Sequence, residues 1–418
     1  EESHGTDTLL RQRSHHAGAA RGGPGGGAGH DGGLGEPLSR LANAFFLAGA
    51  VNPEKAGAIL SRRKGAEQMA SDRMMEYYYS MGQDCLHTGS IDDAVTYFRK
   101  AANLGAREAA EEICQIGEKM EKGEGVSKDE VKAENCWKIA SSYDISRANL
   151  LLGRMYMKGI NGGKPNPRKA RRSLERASDD GSAEAASLLG KLYDEGMLGR
   201  VSPEKAFQYY LLAAERGDTA AMLMTGLFYA QGTSVRKDLA AAEMWIRKGR
   251  EMGDPDGDAT LRVFLAVSCA EYVTGQAGVV DEEKAKAMAK EAEELGDKDV
   301  YYRLGDAYTR TGKHQEEAYA CYEKAAKNGI IAAYSAMGLC LEAGIGVKSD
   351  IAKAVSWYKK AAEEGDAFGM AHYGYALSAG EGCEKDEKEA MAWLIKAAMK
   401  GDEGAIRVLR EDYQYELQ

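Results

Sequence analysis

A chain of 418 residues exceeds what one ordinary core organises, so it folds either as two or three domains or as one repeat array. Apolar residues make up 44% but aromatics only 8%, with just seven Pro, and Ala and Leu dominate alongside Lys and Glu, a mixture that favours helices. The formal net charge of −10 excludes whole-protein affinity for nucleic acid or for an anionic membrane surface, while leaving room for a local basic patch.

Residues 1–37 are expected to be a disordered tail, since positions 1–36 hold eleven Gly, four of the seven His, and almost nothing able to form a core. His4, His15, His16 and His30 could collect a metal only by ordering a very flexible backbone, so a solvated tail is the expectation. The first residue is Glu1 rather than Met, which leaves room for a signal or transit segment ahead of it. The longest apolar run, Leu41 to Val51, is too short to cross hydrocarbon, so no membrane span is expected.

From residue 38 onward one pattern recurs. Near the middle of each first helix stands a Gly, usually after Leu or Met and often three residues before Tyr: Leu152-Gly153 with Tyr156, Leu189-Gly190 with Tyr193, Leu304-Gly305 with Tyr308. The marker positions are Gly82, Gly117, Gly153, Gly190, Gly226, Cys269, Gly305, Gly338 and Gly374; their eight intervals span 292 residues, a mean period of 36.5. A Gly-containing turn follows, then a second helix with Ala and an aromatic three residues on (Ala242 and Trp245, Ala354 and Trp357, Ala390 and Trp393). An Ala-Ala pair and a closing Gly, often Gly-Asp, end the unit (Gly217, Gly253, Gly296, Gly365, Gly401).

Each position has a physical reading. A mid-helix Gly costs about 1 kcal/mol against Ala, which close approach of the paired helix offsets. The Tyr or Trp is expected to fill the wider gap one turn away. The closing Gly supplies a left-handed residue, and the following Asp caps the next helix.

These units resemble the Sel-1-like repeat family, a relative of the tetratricopeptide repeat. "AAYSAMGLCLEAGIGVKSDIAKAVSWYKKAAEEGDA" (332–367) and "FGMAHYGYALSAGEGCEKDEKEAMAWLIKAAMKGDEGA" (368–405) match it nearly position for position. The resemblance implies an all-α, right-handed α/α superhelix of about nine helix-turn-helix repeats over residues 74–404. A degenerate helix pair is expected over 38–73 and a C-terminal cap helix over 405–418. Two units depart from the pattern: the sixth carries Cys269 at the glycine position and a longer loop, and the seventh has the short turn "RTGKHQ".

No enzymatic constellation accompanies the repeats. HExxH, GxSxG and GxxxxGK[ST] are absent, and Gly123-Glu-Gly125 and Gly344-Ile-Gly346 fall in interhelix loops with no preceding strand. Asp254, Asp256 and Asp258 begin a calcium-loop spacing, but Ala259 and Leu265 stand where the turn glycine and bidentate glutamate belong. Ser61-Arg-Arg-Lys64 fits S-x-x-K without its companion motifs. His87, His314 and His372 lie within the array without a recurring carboxylate or Cys partner in sequence, and read as packing or surface residues. The seven Cys form no CxxC or zinc spacing and read as reduced, small core residues; no cofactor or metal is expected. Reduced thiols and the absence of an N-x-S/T sequon favour an intracellular setting, cytoplasm or mitochondrion, over the ER lumen.

Function is therefore expected to be that of a non-catalytic adaptor or scaffold binding one or more proteins. In tetratricopeptide-like superhelices the first helices line the concave groove. By position from the marker, that groove displays Tyr79, Gln83, Glu118, Arg154, Lys191, Leu223, Leu227, Tyr302, Asp306, Leu339 and Tyr375, with the tyrosines the preferred anchors. A second candidate surface lies between Arg147 and Arg176, where nine basic residues face one acid; Arg168, Arg171 and Arg172 are its densest stretch, suited to an acidic protein partner. The acidic counterpart is residues 281–299, with eight acids and four lysines. Two rival readings are an RNA-binding helical repeat using that basic block, disfavoured by the overall charge, and a hydrolase of the disulfide-rich Sel-1-like type. The latter requires cysteines paired eight apart in each unit, which the chain lacks.

Overall fold

A computed structural model describes residues 53–414. The chain divides into two units, residues 1–74 and 75–418. The tail expected over 1–37, its four histidines and the run Leu41–Val51 lie outside the described residues. From Pro53 the described chain begins with one helix, α1 (Pro53–His87), which runs through residue 73 without a turn; the first part of the helix pair expected over 38–73 lies outside the described residues.

Beyond α1 the described residues form helices joined by short loops, with no strand among them. α2 is Ile91–Asn103, α3 and α4 are Arg107–Lys122 and Glu130–Ser141, and α5 and α6 are Ser146–Lys158 and Pro167–Asp179. Next come α7 and α8 (Ala183–Asp194, Pro203–Glu215), α9 and α10 (Thr219–Gln231, Leu239–Glu251), and α11 and α12 (Gly257–Thr274, Glu282–Glu294). The last three pairs are α13 and α14 (Val300–Thr311, Gln315–Lys327), α15 and α16 (Ile331–Ala343, Ile351–Glu363), and α17 and α18 (Ala367–Ala379, Glu387–Met399). A short α19 (Glu403–Glu411) follows. The main helix contacts join each helix to its successor or to the one after it, as a solenoid of nearest neighbours requires.

The marker glycines are contact points. A Cβ at Gly82 would come within 2.7 Å of the Phe98 ring, at Gly117 within 2.6 Å of Trp137, at Gly190 within 2.6 Å of Tyr210, and at Gly226 within 2.6 Å of Ile246. Gly153 with Leu174 and Gly338 with Tyr358 are closer still. The side chain in the notch is the fourth after the conserved Ala of the second helix, not the third. Ile246, Tyr358 and Leu394 are buried there, while Trp245, Trp357 and Trp393 are half-buried beside them. Of the Tyr and Trp expected to fill the gap, Tyr156, Tyr193 and Tyr308 are buried and Trp137 fills the notch at Gly117, whereas these three Trp stand beside it. Trp357 instead stacks on Tyr334 (centroids 5.7 Å apart) and Trp393 meets Tyr373 edge-on (6.0 Å).

The unit's end follows the sequence closely. Gly365 has φ 94°, a left-handed conformation that only Gly adopts cheaply, and its N–H donates to the Ala362 carbonyl while the Asp366 N–H donates to Ala361. Asp366 then accepts from the Gly369 N–H at 2.7 Å, capping α17. Asp218 and Asp402 cap their helices in the same way. The Ala-Ala pairs are the inner wall: Ala213, Ala214, Ala325, Ala361 and Ala397 are wholly buried.

Candidate partner-binding surface

The first-helix residues expected to line a groove separate into two sorts. The charged ones already have partners: Glu118 accepts from Arg147 at 2.8 Å, Arg154 pairs with Glu184, Lys191 with Glu195 at 3.7 Å, and Asp306 with Arg310. All are at least partly exposed, so each pair is worth little to stability and leaves the surface with modest net charge there. Leu223 is buried and contributes to the core, Leu227 is half-buried, and Gln83 is exposed. Tyr79 leans on Phe98 (5.5 Å) and Tyr302 on Tyr322 (5.8 Å), each half-buried.

The C-terminal stretch differs. Leu339 on α15 is 41% exposed and Phe368 on α17 is 39% exposed. Phe368 stacks on His372 at 4.1 Å, His372 meets Tyr375 edge-on at 5.7 Å, and Tyr358 lies 4.8 Å from the same imidazole. Glu342, one turn beyond Leu339, accepts from the Tyr358 hydroxyl at 2.5 Å and stands 3.7 Å from His372 Nδ1. Leu339 and Tyr375 were legible from the repeat register; Glu342, Phe368 and His372 were not, because the aromatic cluster crosses two repeats. Its signal was the F-x-x-x-H-x-x-Y spacing on one face of α17.

Burial lowers the pKa of His372 below its ordinary 6.5, opposed by the carboxylates of Glu342 and Asp402. An unfolded imidazole takes up its proton near pH 6.5 while the folded one still resists it, so the unfolded state binds more protons and stability falls as pH drops through that window. The urea midpoint of the protein should therefore fall between pH 7.5 and pH 5.5 by more than that of His372→Gln. Identical pH dependence in the two proteins would show that the imidazole is not held neutral.

The basic block divides as well. Arg168, Arg172 and Arg176 occupy one exposed row of α6 at i, i+4, i+8, and among the described residues none of them forms an ion pair. Arg171 points elsewhere: a hydrogen bond to Tyr193, then Glu175, raises its pKa. Lys169 lies over the Tyr156 ring at 5.3 Å. These residues lie on a second helix and are brought together with none of the groove positions.

The deeply buried cysteines are poor nucleophiles. All seven cysteines are unpaired, and burial pushes the thiols of Cys114 and Cys269 up to about 12, far from the thiolate form. His314, isolated in sequence, is not isolated in space: its Nε2 lies 3.0 Å from Glu282. Among the described residues no helix is long and apolar enough to cross a membrane.

The model of the Sel1 repeat matches residues 66–105, 113–142, 146–182, 183–218, 219–254, 299–330, 331–366 and 367–402. The chain belongs to the Sel1 repeat family. The segment between the fifth and sixth matches holds α11 and α12, the unit with Cys269 at the marker position, so nine helix pairs stand among the described residues where eight repeats match. Among curated relatives, Chitin synthase regulatory factor 1 of Schizosaccharomyces pombe is 26% identical over 219 residues, 51% of this chain and 48% of that protein. DAP3-binding cell death enhancer 1 of Rattus norvegicus is 28% identical over 191 residues, 46% of this chain and 36% of that protein. The chain thus spans about half or less of the length of these relatives. A crystal structure of c5321, a protective antigen of uropathogenic Escherichia coli displaying an SLR fold, is 22% identical and covers 91% of this chain and 87% of its own, with a TM-score of 0.43. By name these two curated relatives are a regulatory factor and a binding factor.

Proposed function

We propose that this Sel1 array is a non-catalytic adaptor that holds a partner polypeptide on its first-helix face, anchored at Leu339, Phe368 and Tyr375. The observation that carries this reading is the exposed apolar pair Leu339 and Phe368 beside the aromatic stack of His372 and Tyr375, whereas Glu118, Arg154, Lys191 and Asp306 of the same first-helix row are taken up in ion pairs. Interface anchors are enriched in aromatics set in a polar surround, and a partner segment with an apolar side chain would cover this patch. The relatives support the class of function: their names speak of regulation of chitin synthase and of binding to DAP3.

A second surface, the unpaired row Arg168, Arg172 and Arg176, fits an acidic partner. One experiment addresses both: the captured partner is quantified with Leu339→Arg, with Tyr375→Ala, with the triple reversal of the arginine row to Glu, and with Lys388→Ala as control. Lys388 is exposed on α18 and forms no ion pair among the described residues, whereas Lys324, bonded to Glu293 at 2.7 Å, would disturb the fold. Leu339→Arg and Tyr375→Ala should each lower retention tenfold or more with helicity intact. Retention unaltered by both, with loss only on the arginine reversal, would place the partner on the second-helix side.

A further inference from the structure

The second helices of this array are preceded by Ser90, Asp129, Asn166, Ser202, Asp238, Asp281, His314, Asp350 and Asp386. Eight are ordinary capping residue types; His314 is the exception, and its side chain makes no cap bond. It turns instead between two carboxylates. Nε2 is 3.0 Å from Glu282 Oε1, at the start of α12, and Nδ1 is 3.9 Å from Glu317 Oε1, in the first turn of α14. One ligand atom from each of the three residues falls within 4.8 Å of the other two, and all three side chains are half-buried.

Acids in a first turn are expected from the helix dipole alone, and Glu283 and Glu316 beside them need no other reason. Glu283 is matched by Lys286 at 3.3 Å, whereas no Lys or Arg among the described residues pairs with Glu282 or Glu317. A separate observation points to a missing occupant. Tyr308, whose ring lies 5.7 Å from that of His314, is 1% exposed, and its hydroxyl has no hydrogen-bond partner among the described residues. Tyr308 and Glu317 line one cavity, so the orphan phenol and a carboxylate of the cluster face a shared space. A buried hydroxyl without a partner costs about 1–3 kcal/mol, which a bound water would relieve.

We propose that Glu282, His314 and Glu317 form a site for a divalent transition-metal ion of the zinc class, with Tyr308 donating to a water on the ion. One imidazole and two carboxylates are ligands zinc accepts, and bonds of about 2.1 Å at tetrahedral angles set ligand atoms roughly 3.4 Å apart. The ligand atoms, within 4.8 Å of one another, need draw together by at most roughly 1.4 Å. The ion would join α12 of the sixth repeat to α14 of the seventh. That junction lacks the brace seen at three others: the loop at Gly346 lies against Gln315, the loop at Gly382 against Ile351, and the Asn161 N–H donates to Glu130 at 2.5 Å. Each loop thus rests on the first residue of the preceding second helix. The seventh repeat has only Gly312, Lys313 and His314 between its helices, and there His314 is the one reaching Glu282.

The test is calorimetric titration of the chelator-stripped full chain with Zn2+ alone, comparing it with His314→Gln, Glu317→Gln and, as a control for the other histidines, His87→Gln. The protein and His87→Gln should bind one more equivalent of zinc than His314→Gln. Glu317→Gln should bind that equivalent at least tenfold more weakly, and zinc should raise the melting temperature only where the site is intact. Titration of Co2+ should give d–d bands in the visible that vanish in His314→Gln. Equal stoichiometry and affinity in the protein and in His314→Gln, with both variants folded by circular dichroism, would overturn the site. So would the absence of zinc binding by the protein itself, leaving His314 as an ion-pair bridge between repeats.

Discussion

Gly338→Val should destabilise the array by about 1–3 kcal/mol, through overpacking of a junction that has no slack. A Cβ at residue 338 would collide with Tyr358, whose ring cannot withdraw: it is 2% exposed, its hydroxyl is bonded to Glu342, and its face is covered by His372. Two further methyl groups deepen the collision, so either the helices α15 and α16 separate or the tyrosine leaves its rotamer. Lys348→Ala, on the exposed loop between the same helices, should change stability by less than about 0.5 kcal/mol. Because repeats couple mainly to their neighbours, the loss should show first as faster amide exchange in α15 to α17, and then as a lower urea midpoint. Equal exchange and equal midpoints in the two variants would mean that the marker glycine is not a contact position.

The fold was legible because its determinants are local and repeated nine times. Marker Gly, Ala pair, closing Gly and capping Asp each have one physical task, and the period ties them together without knowledge of any distant contact. What the sequence did not disclose lies in the register between partners. In the repeats with Trp245, Trp357 and Trp393 the buried filler is one residue beyond the tryptophan, since a helix position at i+3 and one at i+4 both lie near the same face, and only packing decides between them. The site was less legible for the same reason. Tyr375 and Leu339 follow from the register of single repeats, but Phe368, His372 and Glu342 join them only when two repeats are stacked. Arg168 and Arg172 were visible as a charge run; that Arg171 turns to Tyr193 while Arg176 completes the row depends on three-dimensional neighbours.

The sixth repeat shows how far a marker can be replaced when its opposite changes too. Cys269 occupies the glycine position and is wholly buried, with its thiol donating to the Ala266 carbonyl at 3.3 Å. Four residues after the conserved Ala285, where the other second helices carry Phe98, Trp137, Leu174, Tyr210, Ile246, Tyr322, Tyr358 or Leu394, this repeat has Ala289, also wholly buried. The larger side chain of the pair now stands on the first helix and the smaller on the second, with a smaller summed volume than Gly with Leu, Ile or an aromatic, so the knob points the other way. The two substitutions should therefore be coupled. Ala289→Leu alone inserts a branched side chain against Cys269 and should cost about 1–3 kcal/mol. Cys269→Gly alone opens a small cavity and adds the helix cost of Gly, on the order of 1–2 kcal/mol. Together they restore the arrangement of the other repeats, and the double variant should recover at least about 1 kcal/mol relative to the sum of the single changes, within the range found for residues in contact. Urea unfolding of the four proteins measures that coupling. Strict additivity would mean that Cys269 and Ala289 do not face one another, and that the sixth repeat departs from the family by a different packing.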